Sequence, residues 1–336
     1  MKKRDPYFDN AKLILIFFVV FGHFIQPFIS SNGYLEDIYF LIFTFHMPSF
    51  VLISGFFSKK INKPNLVVNQ MKKLVVPYVI FQVIYSLFYY VIQMKENLSV
   101  NLLNPEWSLW FLLSLFYWNI SLKLFSRFKP IVGMSLAISL SLLAGYLPNV
   151  DNFLSLSRTI VFFPFFLAGY YLTPQHFDKI KSRRKKGMCL LFITTTVLFI
   201  SKIDSLNKYW FFGSQPYDHF LENPDMGALV RILVYLISFM AIYVFFTLVP
   251  QKEYKFTYLG RNTLYTYLLH GFFVKGLRAI GVEELDFSMW LLISIFLLSL
   301  SLTVLLSAER VKRRIEPIVE VRYNPLTRYK KVIRRG

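Results

Sequence analysis

Apolar runs of about 18 or more residues recur from one end of this chain to the other, each long enough to cross a hydrocarbon core roughly 30 Å thick as a helix. In lipid every backbone N–H and C=O must be satisfied internally, which leaves helices and closed barrels. The alternating segments of about ten residues that mark barrel strands are not seen, so the sequence predicts an all-α, polytopic membrane protein. The expected spans are 11–30, 35–57, 74–94, 107–124, 131–147, 158–174, 187–203, 229–249, 257–276 and 288–308, ten in all, with Pro148 and Pro164 interrupting the region of the fifth and sixth. Composition agrees: the chain is 55% hydrophobic and only 17% charged, more apolar and less charged than soluble domains. Met1 to Arg4 and the run behind them resemble a signal peptide superficially. The run is long and lacks a small-residue cleavage site, and it reads as a retained first helix.

The formal charge of +19 poses a choice between nucleic acid and a membrane surface. The cations sit in short clusters between apolar runs, with no basic arm long enough to track a phosphate backbone, which favours membrane lipid and excludes nucleic acid. Basic loops stay in the cytoplasm, and with the N-terminus inside the ten-span division places 31 of the 38 Lys and Arg residues inside and 12 of the 19 acidic residues outside. The inner clusters are Lys2 to Lys12, Lys59 to Lys73, Lys123 to Lys129, Lys179 to Lys186, Lys252 to Arg261 and the tail. Both termini are therefore expected in the cytoplasm, with one membrane domain over 1–308 and a basic tail over 309–336 lying against anionic lipid. The single cysteine, Cys189, forms no internal disulfide, and no Cys and His spacing resembles a structural zinc site, so no metal is expected.

Chemistry is expected where ionisable residues fall inside the apolar runs, because they are costly in lipid and usually face an interior site. Lys12 and His23 are eleven residues apart, three helical turns, so they share a face about 16 Å apart along the axis. Asp9, one turn before Lys12, is placed to pair with it. His46, in Phe45-His46-Met47-Pro48, and His270, in Leu269-His270-Gly271, also lie deep in their spans, and imidazoles at similar depth suit proton transfer. Lys72 and Lys73 open the third span and Arg261 with Asn262 opens the ninth, where cations can dock a phosphorylated cytoplasmic ligand or simply follow the charge rule of the inner surface. Trp107, Trp110, Phe111, Trp210 and Tyr217 either stack against sugar rings or belong to the interfacial aromatic belt. Gly55 and Gly169 read as sites of close helix packing.

These residues resemble a family. Tyr7-Phe8-Asp9-Asn10-Ala11-Lys12 running into Val20-Phe21-Gly22-His23 is similar to the first helix of the membrane acyltransferases of type three, whose signature is a basic residue, ten intervening residues and a histidine. The nearest branch includes fucose 4-O-acetylase-like and polysaccharide-intercellular-adhesin acyltransferases. Phe45-His46-Met47-Pro48, Ile53-Ser54-Gly55-Phe56, Trp110-Phe111-Leu112-Leu113, Phe163 to Tyr170, Leu259-Gly260-Arg261-Asn262-Thr263 and Leu269-His270 follow in family order over about residues 4–308. No attached soluble domain is seen.

The resemblance implies transfer of an acyl group, usually acetyl, from cytoplasmic acyl-coenzyme A to a hydroxyl of a cell-surface or lipid-linked carbohydrate, in a bacterial plasma membrane. It implies His23, His46 and His270 as catalytic residues, Lys12, Lys72, Lys73 and Arg261 as partners of the coenzyme, and Asp9, Trp110 and Asn262 as substrate contacts. A transporter or flippase of a glycan or lipid-linked intermediate is the alternative, since midplane polar residues and broken helices also mark transport sites. Reporter fusions at Asn62, Lys185 and Gly336 are expected to report cytoplasm, and those at Asn32, Asn152 and Asn207 the opposite side; Lys185 and Asn207 reporting one side would refute the ten-span reading.

Overall fold

A computed structural model describes residues 4–59, 65–182, 186–203 and 206–320, and among them all regular structure is helical. The principal helices are α1 (Pro6–Ile25), α2 (Gly33–Phe57), α3 (Leu66–Val91), α4 (Trp110–Phe125), α5 (Pro130–Ala144), α6 (Leu156–Tyr171), α7 (Pro174–Ser182), α8 (Lys186–Ile200), α9 (Gly227–Leu248), α10 (Thr263–Ala279), α11 (Met289–Leu306) and α12 (Glu309–Val319). Local chemistry sets the starts. The Asp5 carboxylate accepts from the Tyr7 N–H ahead of Pro6 in the first turn of α1, and the Asn32 side chain accepts from the N–H groups of Tyr34 and Leu35.

Ten of these helices occupy the ten expected places, with α7 and α12 as short additions. Seven segments are long and apolar enough to cross a membrane: Pro6–Ser30, Gly33–Phe57, Leu66–Val91, Trp107–Phe125, Phe153–Tyr171, Pro224–Leu248 and Met289–Leu306. Pro130–Ala144 and Gly187–Ile200 are apolar but shorter. α10, at 17 residues, falls short of that length, and Thr263, Thr266, His270, Lys275 and Arg278 also make it less apolar. The chain is a multi-pass membrane protein, and by length and apolar composition these seven segments are its candidate spans among the described residues. Pro164, expected to interrupt, lies inside an unbroken α6, as Pro48 lies inside α2.

The most extensive helix contact joins α2 to α6. It is backbone against backbone: a Cβ on Gly55 would overlap the Phe166 carbonyl oxygen, and one on Gly169 would overlap the Leu52 carbonyl oxygen. The two glycines thus work reciprocally across one seam, as small residues do where helices in lipid must approach closely.

The connecting segments gather at two ends. At one, Lys181 pairs with Asp5 at 2.7 Å, Asn10 donates to the carbonyls of Pro250 and Lys252, and the Asn262 amide donates to the Ser307 carbonyl and to Glu309. At the other, Leu154 donates to the Leu103 carbonyl, Tyr217 to the Gly145 carbonyl, and Ser157 to the Gly213 carbonyl. Lys60, Lys63, Arg183, Arg184, Lys185 and the tail beyond Glu320 lie outside the described residues.

Gly55→Ala and Gly169→Ala are each expected to destabilise the protein by about 1–3 kcal/mol, because a methyl group there forces the helices apart. Thermal unfolding in detergent checks this. The double variant is expected to cost less than the sum, since one displacement relieves both overlaps.

Candidate functional site

The start of α1 places Asp9 at 1% exposure among cations. Its carboxylate meets Lys12 Nζ at 2.9 Å, Arg4 Nε at 2.8 Å and Arg261 Nε at 3.4 Å. Arg261 also reaches Glu253 at 3.6 Å. The neighbouring Asn10 is fixed by the Thr257 hydroxyl, which donates to its side-chain oxygen at 2.7 Å. Gly260 is bare because a Cβ there would overlap the Asp9 carbonyl oxygen. The expected Asp9–Lys12 pair is therefore real and sits within a larger cluster joining α1 to the entry of α10.

Further along α1 is His23, half-buried. Its ring centroid lies 4.5 Å from that of Trp107 and 5.6 Å from that of His270 on α10, and Trp107 lies 4.9 Å from His270. Three rings from three parts of the chain are thus in mutual contact. His270 is fully buried, and its Nδ1 faces the carbonyls of Tyr267 at 2.8 Å and Thr266 at 3.0 Å. Those acceptors assign the hydrogen to Nδ1 and leave a lone pair on Nε2. Among the described residues, His270 Nε2 and His23 Nδ1 are buried without a hydrogen-bond partner.

His46 comes from α2, close enough that a charge on it would act on His23. Its Nδ1 faces the Ile42 carbonyl at 2.8 Å, and its ring stands edge-on to Phe43 at 4.4 Å. Phe43 in turn packs on Gly22, where a Cβ would stand 3.2 Å from the ring. The sequence-selected histidines are therefore brought into one neighbourhood.

Trp107 is held there by the backbone. Its φ of 42° is left-handed, rare for a bulky residue and costing about 1–3 kcal/mol that the surroundings must offset. Tyr267 donates to the Ser108 carbonyl, Tyr85 donates to the Leu268 carbonyl at 2.8 Å, and Gly271 leaves room where a Cβ would strike both the Trp107 ring and the Tyr85 hydroxyl.

Two cations beyond His270 were not singled out by the sequence. Arg278 donates to the His23 carbonyl at 2.8 Å and to the Gln26 side-chain oxygen at 3.1 Å, and Lys275 Nζ stands 5.8 Å from the ring centroids of Trp107 and Tyr89. Their signal was available: two cations in an otherwise apolar run, one and two turns from a buried histidine.

Other expected residues stand elsewhere. Lys72 and Lys73 are exposed, in the π-turn Met71–Val75 of α3, with no ion pair among the described residues. Asn262 is buried and spent on Ser307 and Glu309, and its amide holds the Glu309 carboxyl below the usual carboxylate range. Trp110 is buried in the core beside Phe162, with the Arg158 guanidinium 5.2 Å over its ring; the tryptophan at the histidines is Trp107. Among the described residues no three His, Cys, Asp or Glu side chains form a metal-ligand set.

Residues 5–308 match the acyltransferase domain family that the first-helix and His46 motifs resemble. The chain belongs to the acyltransferase-3 family. A curated relative, nodulation protein NolL of Sinorhizobium fredii (strain NBRC 101917 / NGR234), is 26% identical over 216 residues, which cover 60% of this chain and 57% of that protein. No solved structure matches the chain.

Asp9→Asn is expected to cost about 1–3 kcal/mol, because it leaves the largely buried Lys12 without its counter-charge. Lys12→Met in that background should restore part of the loss in detergent unfolding, which a purely steric effect of the Asn would not allow.

Proposed function

We propose that this acyltransferase moves an acyl group, acetyl in the first instance, from cytoplasmic acyl-coenzyme A to a hydroxyl of a cell-surface or lipid-linked carbohydrate. The observation that carries the reading is the contact of His23 with His270 and Trp107, with a buried, unpartnered ring nitrogen on each histidine. Family membership supplies the reaction class. In this reading all ten helices cross a bacterial plasma membrane, with both termini in the cytoplasm.

His23 is the general base. It takes the proton of the acceptor hydroxyl as that oxygen bonds to the thioester carbonyl carbon; the carbon–sulfur bond breaks, and the coenzyme thiolate leaves and takes up a proton. His23 differs from its neighbours in that no backbone carbonyl claims its Nδ1. His46 and His270 each spend their Nδ1 hydrogen on their own helix, so in the neutral state they present lone pairs and orient His23 or the hydroxyl.

The donor enters from the Asp9 end. Lys12, Arg261, Lys72 and Lys73 hold the coenzyme's phosphates, and its pantetheine arm carries the thioester along the roughly 16 Å of α1 between Lys12 and His23. The NolL similarity is compatible with transfer and names no acceptor for this chain.

His23→Ala is expected to lower transfer from labelled acetyl-coenzyme A to cell-envelope glycan by about 10² to 10⁴ at equal membrane abundance, with coenzyme binding unchanged. At least half of wild-type transfer would make His23 structural. Lys72→Ala with Lys73→Ala should raise the Michaelis constant for acyl-coenzyme A more than it lowers turnover, because the phosphates bind alike in ground and transition states.

A further inference from the structure

The two ends of the histidine site are electrostatically unlike. At the Asp9 end a buried carboxylate serves Arg4, Lys12 and Arg261. At the opposite end Lys275 and Arg278 form no ion pair among the described residues. Glu106 is already engaged by Lys95 and acts on Lys275 only beyond ion-pair distance, as the exposed Glu283 does on Lys275 and Arg278. Arg158, over Trp110, and Arg231, 2% exposed over Trp210 and Tyr217, also lack an ion pair among the described residues. Cations withdrawn from water without a counter-ion are costly, and a fold keeps them where a ligand supplies the missing charge.

Lys275 and Arg278 stand beside the reactive rings. Arg278 keeps a buried Nε free while its Nη2 clips the end of α1 through His23 and Gln26. Lys275 Nζ makes no hydrogen bond among the described residues and lies over the Trp107 ring, 5.8 Å from its centroid, and the backbone holds that ring in place at a conformational cost. An indole with one cation over it and a second cation on the same helix, against the end of α1, matches a sugar ring that bears an oxyanion: the ring packs on the indole, and phosphate or carboxylate oxygens bridge ammonium and guanidinium.

We infer that the acceptor is an anionic saccharide whose phosphate or carboxylate is received by Lys275 and Arg278 while Trp107 carries the sugar face. The inference rests on the acyl-transfer reading only in naming this ligand the acceptor. It places the acceptor at the end of the site opposite the coenzyme phosphates, so that donor and acceptor charges are sorted by position.

The test is equilibrium binding of glucose 1-phosphate, glucuronate and glucose to the full chain in phosphatidylcholine nanodiscs. At least one anionic sugar is expected to bind about tenfold or more tightly than glucose. The stronger one identifies the oxyanion as phosphate or carboxylate. Lys275→Gln should weaken that binding about tenfold and Lys275→Arg should keep most of it; Lys275 is chosen because Arg278 also ties down α1, so its loss could unfold the site. The inference falls if glucose binds as well as both anions, if none of the three binds, if Lys275→Gln leaves anion binding unchanged, or if added phosphatidylglycerol displaces both anions, which would make a lipid headgroup the ligand. Transfer to envelope glycan is measured separately in the same nanodiscs. Anion binding without any transfer would overturn the acyl-transfer reading and leave the anion site standing.

Discussion

Asp9 is a carboxylate withdrawn from water, and that alone obliges the chain to bring cations to it from two directions. Arg4 and Lys12 come from its own helix region, and Arg261 from the entry to α10. Asn10 and Gly260 complete the junction, one through hydrogen bonds to the 250–257 loop and the other by removing a side chain from the backbone contact. The result fixes α1 in rotation and height against the start of α10. His23 and His270 lie on those two helices, so their meeting farther along depends on a charge cluster that is remote from them. Fourteen residues of straight helix, about 21 Å, carry the register from Asp9 to His23.

The site built on that register separates tasks by helix. α1 supplies the histidine whose Nδ1 no backbone group claims, α10 and α2 supply histidines tied to their own carbonyls, and the 107–109 turn supplies the aromatic wall. Backbone acceptors one turn earlier decide the tautomers of His46 and His270, an inexpensive device in a medium that offers no other acceptor. Trp107 reaches its position at the expense of its own backbone, and the hydrogen bonds of Tyr85 and Tyr267 and the bare Gly271 surround it closely enough to keep it there.

Much of this was legible before any coordinates. Apolar length marked ten segments, and each of them is occupied by a helix. Criteria of length and hydropathy retain seven, since Pro130–Ala144, Gly187–Ile200 and α10 are short, and α10 also carries buried polar residues that lower its hydropathy. His23, His46 and His270 were visible as costly residues in apolar runs, and Asp9 with Lys12 as neighbours one turn apart. What periodicity could not supply was juxtaposition across the bundle. It gave no ground for preferring Trp107 to Trp110, nor for seating Arg278 against the His23 carbonyl, because those facts depend on how three separate helices are rotated. Asn262, adjacent to Arg261, reads equally as a ligand contact or as the structural tie to Ser307 and Glu309 that the fold displays.

The glycine seam between α2 and α6 also has a mechanical meaning. Two helices whose main chains touch at Gly55 and Gly169 cannot slide or tilt without steric collision, so they behave as one rigid plate. His46 is mounted on that plate, whereas His23 and His270 ride on α1 and α10, which meet through the Asp9 ion-pair cluster and the backbone contact at Gly260. The three histidines therefore stand on two separate mountings, one set by the glycine seam and the other by the charge cluster at Asp9.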